Sequence, residues 1–346
     1  MFATGGIAKA APGDIDRAFG NKGSVTVTVP GSKENVLRDL FALPDGRMLG
    51  AGGGAAGEGG FLIRLLPDGS PDPAFGDSGI VRSPDSLWAS AAVQSDGKII
   101  AFGRIGKEAA IARFSATGQL DSGFGNQGSV QPSIREDFTY PHEYLEFIKL
   151  EVRDDDTFSA AVIPGSCSRD GRPDPDGADW EDPCPNVAVF EFDKDGSLTR
   201  ELVMAAGISP ESGDAAEAIP AMVARGNTGE FVVRSYYPTT DLDGNTNYRS
   251  ATQKFRADGS PVKEFGDEGL VKGDDVNLND PGEIHVGDDG RITIVSGSVR
   301  RLLANGRPDR EFGKRGRVET SWMRFTSKLS HGPNVSDAAF TDEEKL

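Results

Sequence analysis

The sequence predicts an all-β protein, a six-bladed β-propeller of four-stranded antiparallel blades in which strands from the two ends of the chain share one blade. Three observations predict it. A glycine followed six residues later by phenylalanine and then Gly-x-x-Gly recurs from the first residues to the last forty. Asp-Gly turns separate short apolar runs in the intervening stretches. No helical periodicity is present before a weak stretch at 320–330.

The recurring cassette comes first. Gly13 leads to Phe19, Gly69 to Phe75, Gly118 to Phe124, Gly259 to Phe265 and Gly306 to Phe312, while a worn copy runs from Gly196 to Leu202. Asp16, Asp72, Asp121 and Asp309 stand three residues before the phenylalanine, and Val262 breaks the rule. Six units in 346 residues give a period of about 58, the size of one supersecondary unit in a ring or solenoid. Glycine after phenylalanine permits a tight reversal, and the ring is large enough to fill the gap between neighbouring sheets.

The second turn of each unit comes next. Pro44-Asp45-Gly46, Asp96-Gly97 and Asp289-Gly290 lie between β-type runs such as 48–51, 99–102 and 292–295. Asp-Gly in that setting signals a type I′ hairpin, with positive φ at both central residues. Each unit therefore reads as a meander of about four short strands. Small residues in the second strands, Ala51-Gly52-Gly53 and Ala101 with Gly103, suit strands crowded near the ring axis.

The whole chain, 1–346, is read as one domain, with units starting near 19, 75, 124, 202, 265 and 312 and insertions at 164–185 and 236–248. Residues 2–9 resemble the latter part of a unit, and 334–346 echo the 35–49 stretch, so the two ends would complete the sixth blade and remove exposed sheet edges. Loops on a rigid ring are where binding usually resides.

These cassettes resemble the delta-60 repeat family, whose Leu-Asp-x-x-Phe-Gly-x-x-Gly-x-Val pattern is matched by Leu120 to Val130. The resemblance is strongest in the first three units and the last. It implies a bacterial β-propeller and brings no catalytic residues with it.

A net charge of −17, from 37 basic and 54 acidic residues, argues against binding nucleic acid or anionic lipid and points to partners with basic surfaces. No run reaches the ~20 apolar residues that cross a bilayer. The first twelve residues lack a basic region followed by an apolar core, so a cytoplasmic location is the default, with signal-independent export or a truncated chain as alternatives. A monomeric ring is expected.

Candidate binding residues are the rings of the insertions and of the approach to the third blade: Tyr140, His142, Tyr144, Trp180, Tyr236 and Tyr237. Alternating rings at 138–147 fit either a binding patch or a strand's core face. Asp241, Asp243, Asn245 and Asn247 offer oxygen ligands around Gly244 like the first half of a calcium loop, but Thr252 stands where a glutamate would complete it, and an Asx-rich turn is the competing reading. Calcium is thus a candidate ligand, and no cofactor is required. Cys167 and Cys184 bracket the acidic loop 170–182 and could be bridged or remain separate thiols. Gly76-Asp77-Ser78-Gly79 imitates a nucleophilic serine, yet the same slot elsewhere holds Asn21-Lys22 and Lys314-Arg315, which makes Ser78 a turn residue. The glycine-rich 52–57 stretch lacks the helix that a dinucleotide site needs.

No catalytic constellation is apparent in the sequence, which favours a non-catalytic protein-binding scaffold or inhibitor-type partner. A calcium-dependent hydrolase or lactonase-like propeller is the alternative, and a glycan-binding propeller the third reading.

Overall fold

The computed structural model describes residues 19–32, 35–54, 59–106, 108–132, 146–163, 186–206, 219–240, 246–275, 283–296 and 298–319. Among them are five four-stranded antiparallel sheets and no helix. Sheet 1 is built from β1 (Asn35–Ala42), β2 (Met48–Gly54), β3 (Gly60–Leu65) and β4 (Ile80–Ser83). Sheet 2 follows with β5 (Ser86–Val93), β6 (Ile99–Ile105), β7 (Glu108–Phe114) and β8 (Ser129–Val130). Sheet 3 holds β9 (Glu146–Val152), β10 (Phe158–Ile163), β11 (Asn186–Phe192) and β12 (Leu198–Ala205). Sheet 4 comprises β13 (Ile219–Arg225), β14 (Phe231–Thr240), β15 (Thr246–Phe255) and β16 (Leu270–Asp275). Sheet 5 comprises β17 (Glu283–Val286), β18 (Ile292–Ser296), β19 (Ser298–Leu302) and β20 (Arg317–Glu319). Every sheet is a simple meander, as the paired turns predict. The sixth expected sheet draws on 1–18 and 320–346, outside the described residues.

First strands of successive sheets lie against one another. Side chains tie them together: Ser90 Oγ on β5 donates to Asp39 on β1, Asp39 Oδ2 also accepts Ala91 N–H at 3.0 Å, and Ser90 Oγ accepts Leu150 N–H of β9 at 3.3 Å. The first strands are therefore the innermost, which corrects the expectation that small residues mark second strands at the axis. Gly52 and Gly103 have a different cause. The first strands β1 and β5 are bulged, between Leu37 and Asp39 and between Trp88 and Ser90. A Cβ on Gly52 would lie 2.2 Å from Val36 O, and one on Gly103 2.0 Å from Leu87 O. Glycine is kept where a bulged neighbour presses its carbonyl onto the second strand.

The short hairpins also differ from the type I′ expectation. Gly46 has φ +82° and Gly97 +83°, but Asp45 and Asp96 do not turn left-handed. Pro44 fixes a negative φ ahead of Asp45, so the turn is of the longer kind with one left-handed glycine. Leu43 N–H donates to Arg47 O at 2.7 Å, and Asp45 Oδ1 accepts Arg47 N–H at 3.1 Å. In sheet 3 Asp156 takes the glycine's place at φ +64°, held by hydrogen bonds from Ser95 N–H and Oγ.

Phe75, Phe124 and Phe265 pack across to the next sheet, as their size predicts. Phe75 lies in one cluster with Leu49, Leu62, Ala101 and Ala112, and Phe124 in another with Ile100, Phe158, Phe190 and Phe192. The backbone crosses with it: Gly76 N–H donates to Thr117 O at 2.9 Å, and Gly266 N–H to Asn305 O at 2.8 Å. At the worn copy, Leu202 and Met204 of β12 fill the seam with Val223, Phe231 and Phe255 of sheet 4. Ser78, at φ +53° beside Asp77, is a turn residue as expected.

Candidate functional site

The sheets repeat a polar module whose departure in one sheet defines the candidate site. Arg64 Nε donates to Asp72 Oδ2 at 2.7 Å while its guanidinium carbon sits 4.5 Å from the Phe75 ring centre. Arg113 repeats this with Asp121 (2.8 Å) and Phe124 (4.6 Å), and Arg301 with Asp309 (2.8 Å) and Phe312 (4.4 Å). The cassette aspartate thus fastens a cation that lies on the aromatic face.

Cross-strand register places that cation in a row that starts on the innermost strand. In sheet 1 the row is Phe41, Leu49, Arg64, and in sheet 2 it is Ala92, Ile100, Arg113. In sheet 4 it is Ala224, Val232, Lys254, and in sheet 5 His285, Thr293, Arg301. Sheet 3 carries Glu151, Ser159, Glu191, followed by Arg200 on β12. Two carboxylates with a hydroxyl between them stand where sheets 1, 2 and 4 place a half-buried and a buried apolar side chain beside a cation.

The reversed charge reorganises the seam between sheets 3 and 4. Glu191 Oε1 lies 3.3 Å from Arg225 Nε and 3.9 Å from Arg153 Nη1, and its Oε2 lies 3.8 Å from Arg200 Nη1. Glu191 Oε1, Arg225 Nε and Arg153 Nη1 are buried without a hydrogen bond, so these groups meet as charges alone. Such incompletely satisfied buried polar groups are costly in a low-dielectric interior. Arg225 also faces the Phe231 ring at 5.8 Å.

A small cleft opens here, lined by Lys149, Glu151, Ser159, Ala161, Val189, Val223, Arg225 and Phe231. Lys149 and Glu151 alternate along β9 and so share the face toward sheet 4, while Leu150 between them packs with Phe102 of sheet 2. Burial pushes the Glu151 carboxyl above its ordinary value, against the opposing pull of Arg225, Lys149 and Arg153. Burial and the neighbouring Arg225 hold Arg153 below its ordinary value. The arrangement places a carboxyl whose proton is held more tightly than usual beside two cations.

The residues named from the sequence fall elsewhere. Tyr236 and Tyr237 are buried, 3% and 1% exposed, within β14. The stretch 236–248, expected to be an inserted loop, is crossed by the long β14–β15 hairpin, where Tyr237 pairs with Arg249 and Thr239 with Asn247. Tyr140, His142, Tyr144, Cys167, Trp180, Cys184, Asp241, Asp243 and Asn245 lie outside the described residues, as does the side chain of Asn247. No group of metal-ligating side chains gathers among the described residues. No helix long and apolar enough to cross a membrane is present among the described residues.

Sequence reasoning missed Glu151, Glu191 and Arg225. The signal was available in the repeat: Arg64, Arg113, Lys254 and Arg301 each precede a turn residue by four, and Glu191 breaks the charge rule at the same offset from Asp195.

A family model described as "Domain of unknown function (DUF5122) beta-propeller" matches residues 43–75 and 94–124. No curated protein matches the chain in sequence. Among solved structures, the chain is similar to an α-L-arabinanase from Penicillium chrysogenum complexed with arabinobiose, at 11% identity and TM-score 0.43, over 84% of this chain and 87% of that one. A luciferin-regenerating enzyme shows 11% identity and TM-score 0.35, over 84% and 93%. An endo-arabinanase from Bacillus licheniformis shows 13% identity and TM-score 0.34, over 80% and 92%. The expectation of a non-catalytic protein-binding scaffold finds no support in these comparisons, since the structures named are enzymes, and that reading is withdrawn. The repeat type is that of a β-propeller, carried on an all-β chain of four-stranded antiparallel sheets.

Proposed function

We propose that this chain is a hydrolase of small esters or lactones, acting in the cleft between sheets 3 and 4 with Glu151 as its proton-transferring group. The observation that carries the reading is the Glu151–Ser159–Glu191 row in place of the apolar pair and cation of sheets 1, 2 and 4. A polar row at a packed seam weakens the fold locally, and departures of that kind concentrate at working sites. The ionised Glu151 carboxylate takes a proton from water as the hydroxide oxygen bonds to the substrate carbonyl carbon. The resulting oxyanion faces Arg225 and Lys149. When it collapses, the carbon–oxygen bond to the leaving group breaks and that oxygen takes the proton back from Glu151. A base with a raised pKa is well matched to this work. Arg225 is positioned by Glu191 and Phe231.

The test is hydrolysis of p-nitrophenyl acetate and a γ-lactone by the full chain and by Glu151→Gln. The rate should rise with pH through one ionisation above the ordinary glutamate value, and the variant should lose roughly 10²-fold or more. Absence of turnover, or an unchanged variant, removes the proposal.

The same proposal includes a closed ring of six blades of the delta-60 kind. Support comes from residues 19–25: Gly20 N–H donates to Asp68 O at 2.7 Å, and Phe19 and Val25 approach Gly69 as Phe75 and Val81 approach Gly118. A cassette fastened this way to sheet 1 calls for a sheet preceding it. Dyes at the two chain ends should show efficient energy transfer that unfolding abolishes, and weak transfer in the folded chain counts against closure. Calcium at Asp241, Asp243, Asn245 and Asn247 stays a proposed accessory, checked by calcium titration of thermal stability.

A further inference from the structure

We propose that the cassette of sheet 5 is a docking surface for a short acidic peptide segment of a partner protein. The chain is acidic as a whole, but this stretch reverses the sign. Arg307, Arg310, Lys314 and Arg315 are all exposed. The tip of the turn reads Lys314-Arg315 here, against Asp77-Ser78 in sheet 1, Asn126-Gln127 in sheet 2 and Asp267-Glu268 in sheet 4. At the slots of Arg307 and Arg310 those three cassettes carry serine, glutamine or proline, with Lys263 as the only cation. Nothing inside the cassette answers the charge. Among the described residues none of the four side chains makes an ion pair or a hydrogen bond. Asp309 is taken by Arg301 at 2.8 Å and Arg291 at 3.3 Å, which leaves Glu311 as the one other carboxylate between residues 307 and 317.

Backbone hydrogen bonds gather these cations onto one knot of chain. Leu303 N–H donates to Arg307 O at 2.8 Å, and Asp309 N–H to Arg301 O at 2.9 Å. The turn then comes back over its own start: Gly316 N–H donates to Phe312 O at 2.9 Å, and a Cβ on Gly316 would stand 3.1 Å from Pro308 Cβ. Cations crowded this way repel one another, over a range of about 8 Å at physiological salt. A ligand bearing carboxylates relieves the repulsion, and each guanidinium fork matches a carboxylate through two parallel hydrogen bonds. The surroundings select a short segment over a larger polyanion. Gly266 N–H donates to Asn305 O at 2.8 Å, so the knot adjoins the sheet 4 cassette with its exposed Glu264, Asp267 and Glu268. A nucleic-acid duplex or an anionic bilayer would press on those carboxylates too, whereas a short peptide stays on the knot. The net charge of −17 works in the same direction. Complementarity of this kind sets partner choice and association rate more than raw affinity.

The experiment measures binding of a fluorescently labelled octaglutamate peptide to the full chain by anisotropy, with octaglutamine as the uncharged control. Octaglutamate should bind at low salt and be released as salt rises, and octaglutamine should not bind. Lys314→Asp combined with Arg315→Glu grafts the turn that sheet 4 carries at the same slots, where Glu268 and Arg315 share a left-handed backbone, φ +51° and +59°. The graft therefore suits the local fold, and it should weaken octaglutamate roughly tenfold or more. Two single variants separate position from net charge. Arg315→Glu should weaken binding roughly fivefold, while Lys263→Glu, an equal charge change at an exposed site outside the knot, should leave it within about twofold. No binding of octaglutamate, equal binding of octaglutamine, affinity unchanged in the graft, or an equal loss in Lys263→Glu overturns the inference. Tighter binding of a DNA duplex or of phosphatidylserine vesicles than of octaglutamate also overturns it, as does self-association of the parent chain that the graft abolishes. None of these outcomes depends on ester hydrolysis at the seam between sheets 3 and 4.

Discussion

Arg64 Nε donates to Asp72 Oδ2 at 2.7 Å with both side chains almost wholly buried, 6% and 5% exposed. Removing one partner strands the other charge in the interior. Asp72→Ala is expected to lower stability by about 3–5 kcal/mol, read from the midpoint of urea unfolding. The double variant Asp72→Ala with Arg64→Met should recover part of that loss, because an apolar pair of similar volume leaves no uncompensated charge.

The two carboxyls Asp72 and Glu151 should give stability opposite pH dependences. Burial works against ionisation of Asp72, but Ala74 N–H, Arg64 and Arg47 outweigh it and hold the carboxyl below its ordinary 3.8. Its stabilisation is present above that ordinary value and is lost as pH falls through the lower folded value. Glu151 is raised above 4.5, so the folded chain keeps a proton that the unfolded chain releases. Its destabilisation is absent below about 4.5, grows as pH rises to the folded value and is complete above it. Glu151→Gln should therefore flatten the upper part of the stability profile and leave the acid limb in place, as measured by denaturant unfolding at a series of pH values.

Glu191→Arg restores the cation found at the same register in sheets 1, 2 and 5, yet it should destabilise the chain. The new guanidinium would face Arg153, Arg200 and Arg225, all within 4 Å of the present carboxylate. Like charges in a part-buried seam predict a loss of about 2 kcal/mol or more. A thermal shift upward would show that the arginines rearrange freely, against the positioning described for Arg225.

Phe124 is fully buried and lies 6.4 Å, centre to centre, from Phe158. Phe124→Ala should cost about 3–5 kcal/mol. Leu202→Ala, at the worn seam, should fall toward the lower end of the 2–5 kcal/mol seen for leucine, since Met204 also fills that space. Equal losses at the two seams would mean that the phenylalanine has no special part in joining sheets.

The architecture was legible because it rests on local chemistry repeated in register. Gly69, Gly118, Gly259 and Gly306 each mark a turn, and their φ values lie between +83° and +85°. The packing of Phe75 and Phe124 followed from ring size. The strand order about the axis was not legible, because glycine in a second strand has the same appearance whether an axis or a bulged carbonyl crowds it. The candidate site was harder still. Glu151 and Glu191 are separated by forty residues and an insertion, and only cross-strand pairing through Ser159 brings them into one row. Tyr236 looked like the start of a loop because polar residues follow it, whereas the hairpin runs on through Thr240 and resumes at Thr246.

The bond from Gly76 N–H to Thr117 O has counterparts from Gly20 to Asp68 and from Gly266 to Asn305, and each of the three runs forward along the chain. The fastening is directional, and a duplicate of sheet 1 with its cassette would arrive with a donor for the module after it and an acceptor for the one before. Ancestral lengthening by whole modules thus needs no invention at the joints, whereas excising half a module would leave one joint with two donors or two acceptors.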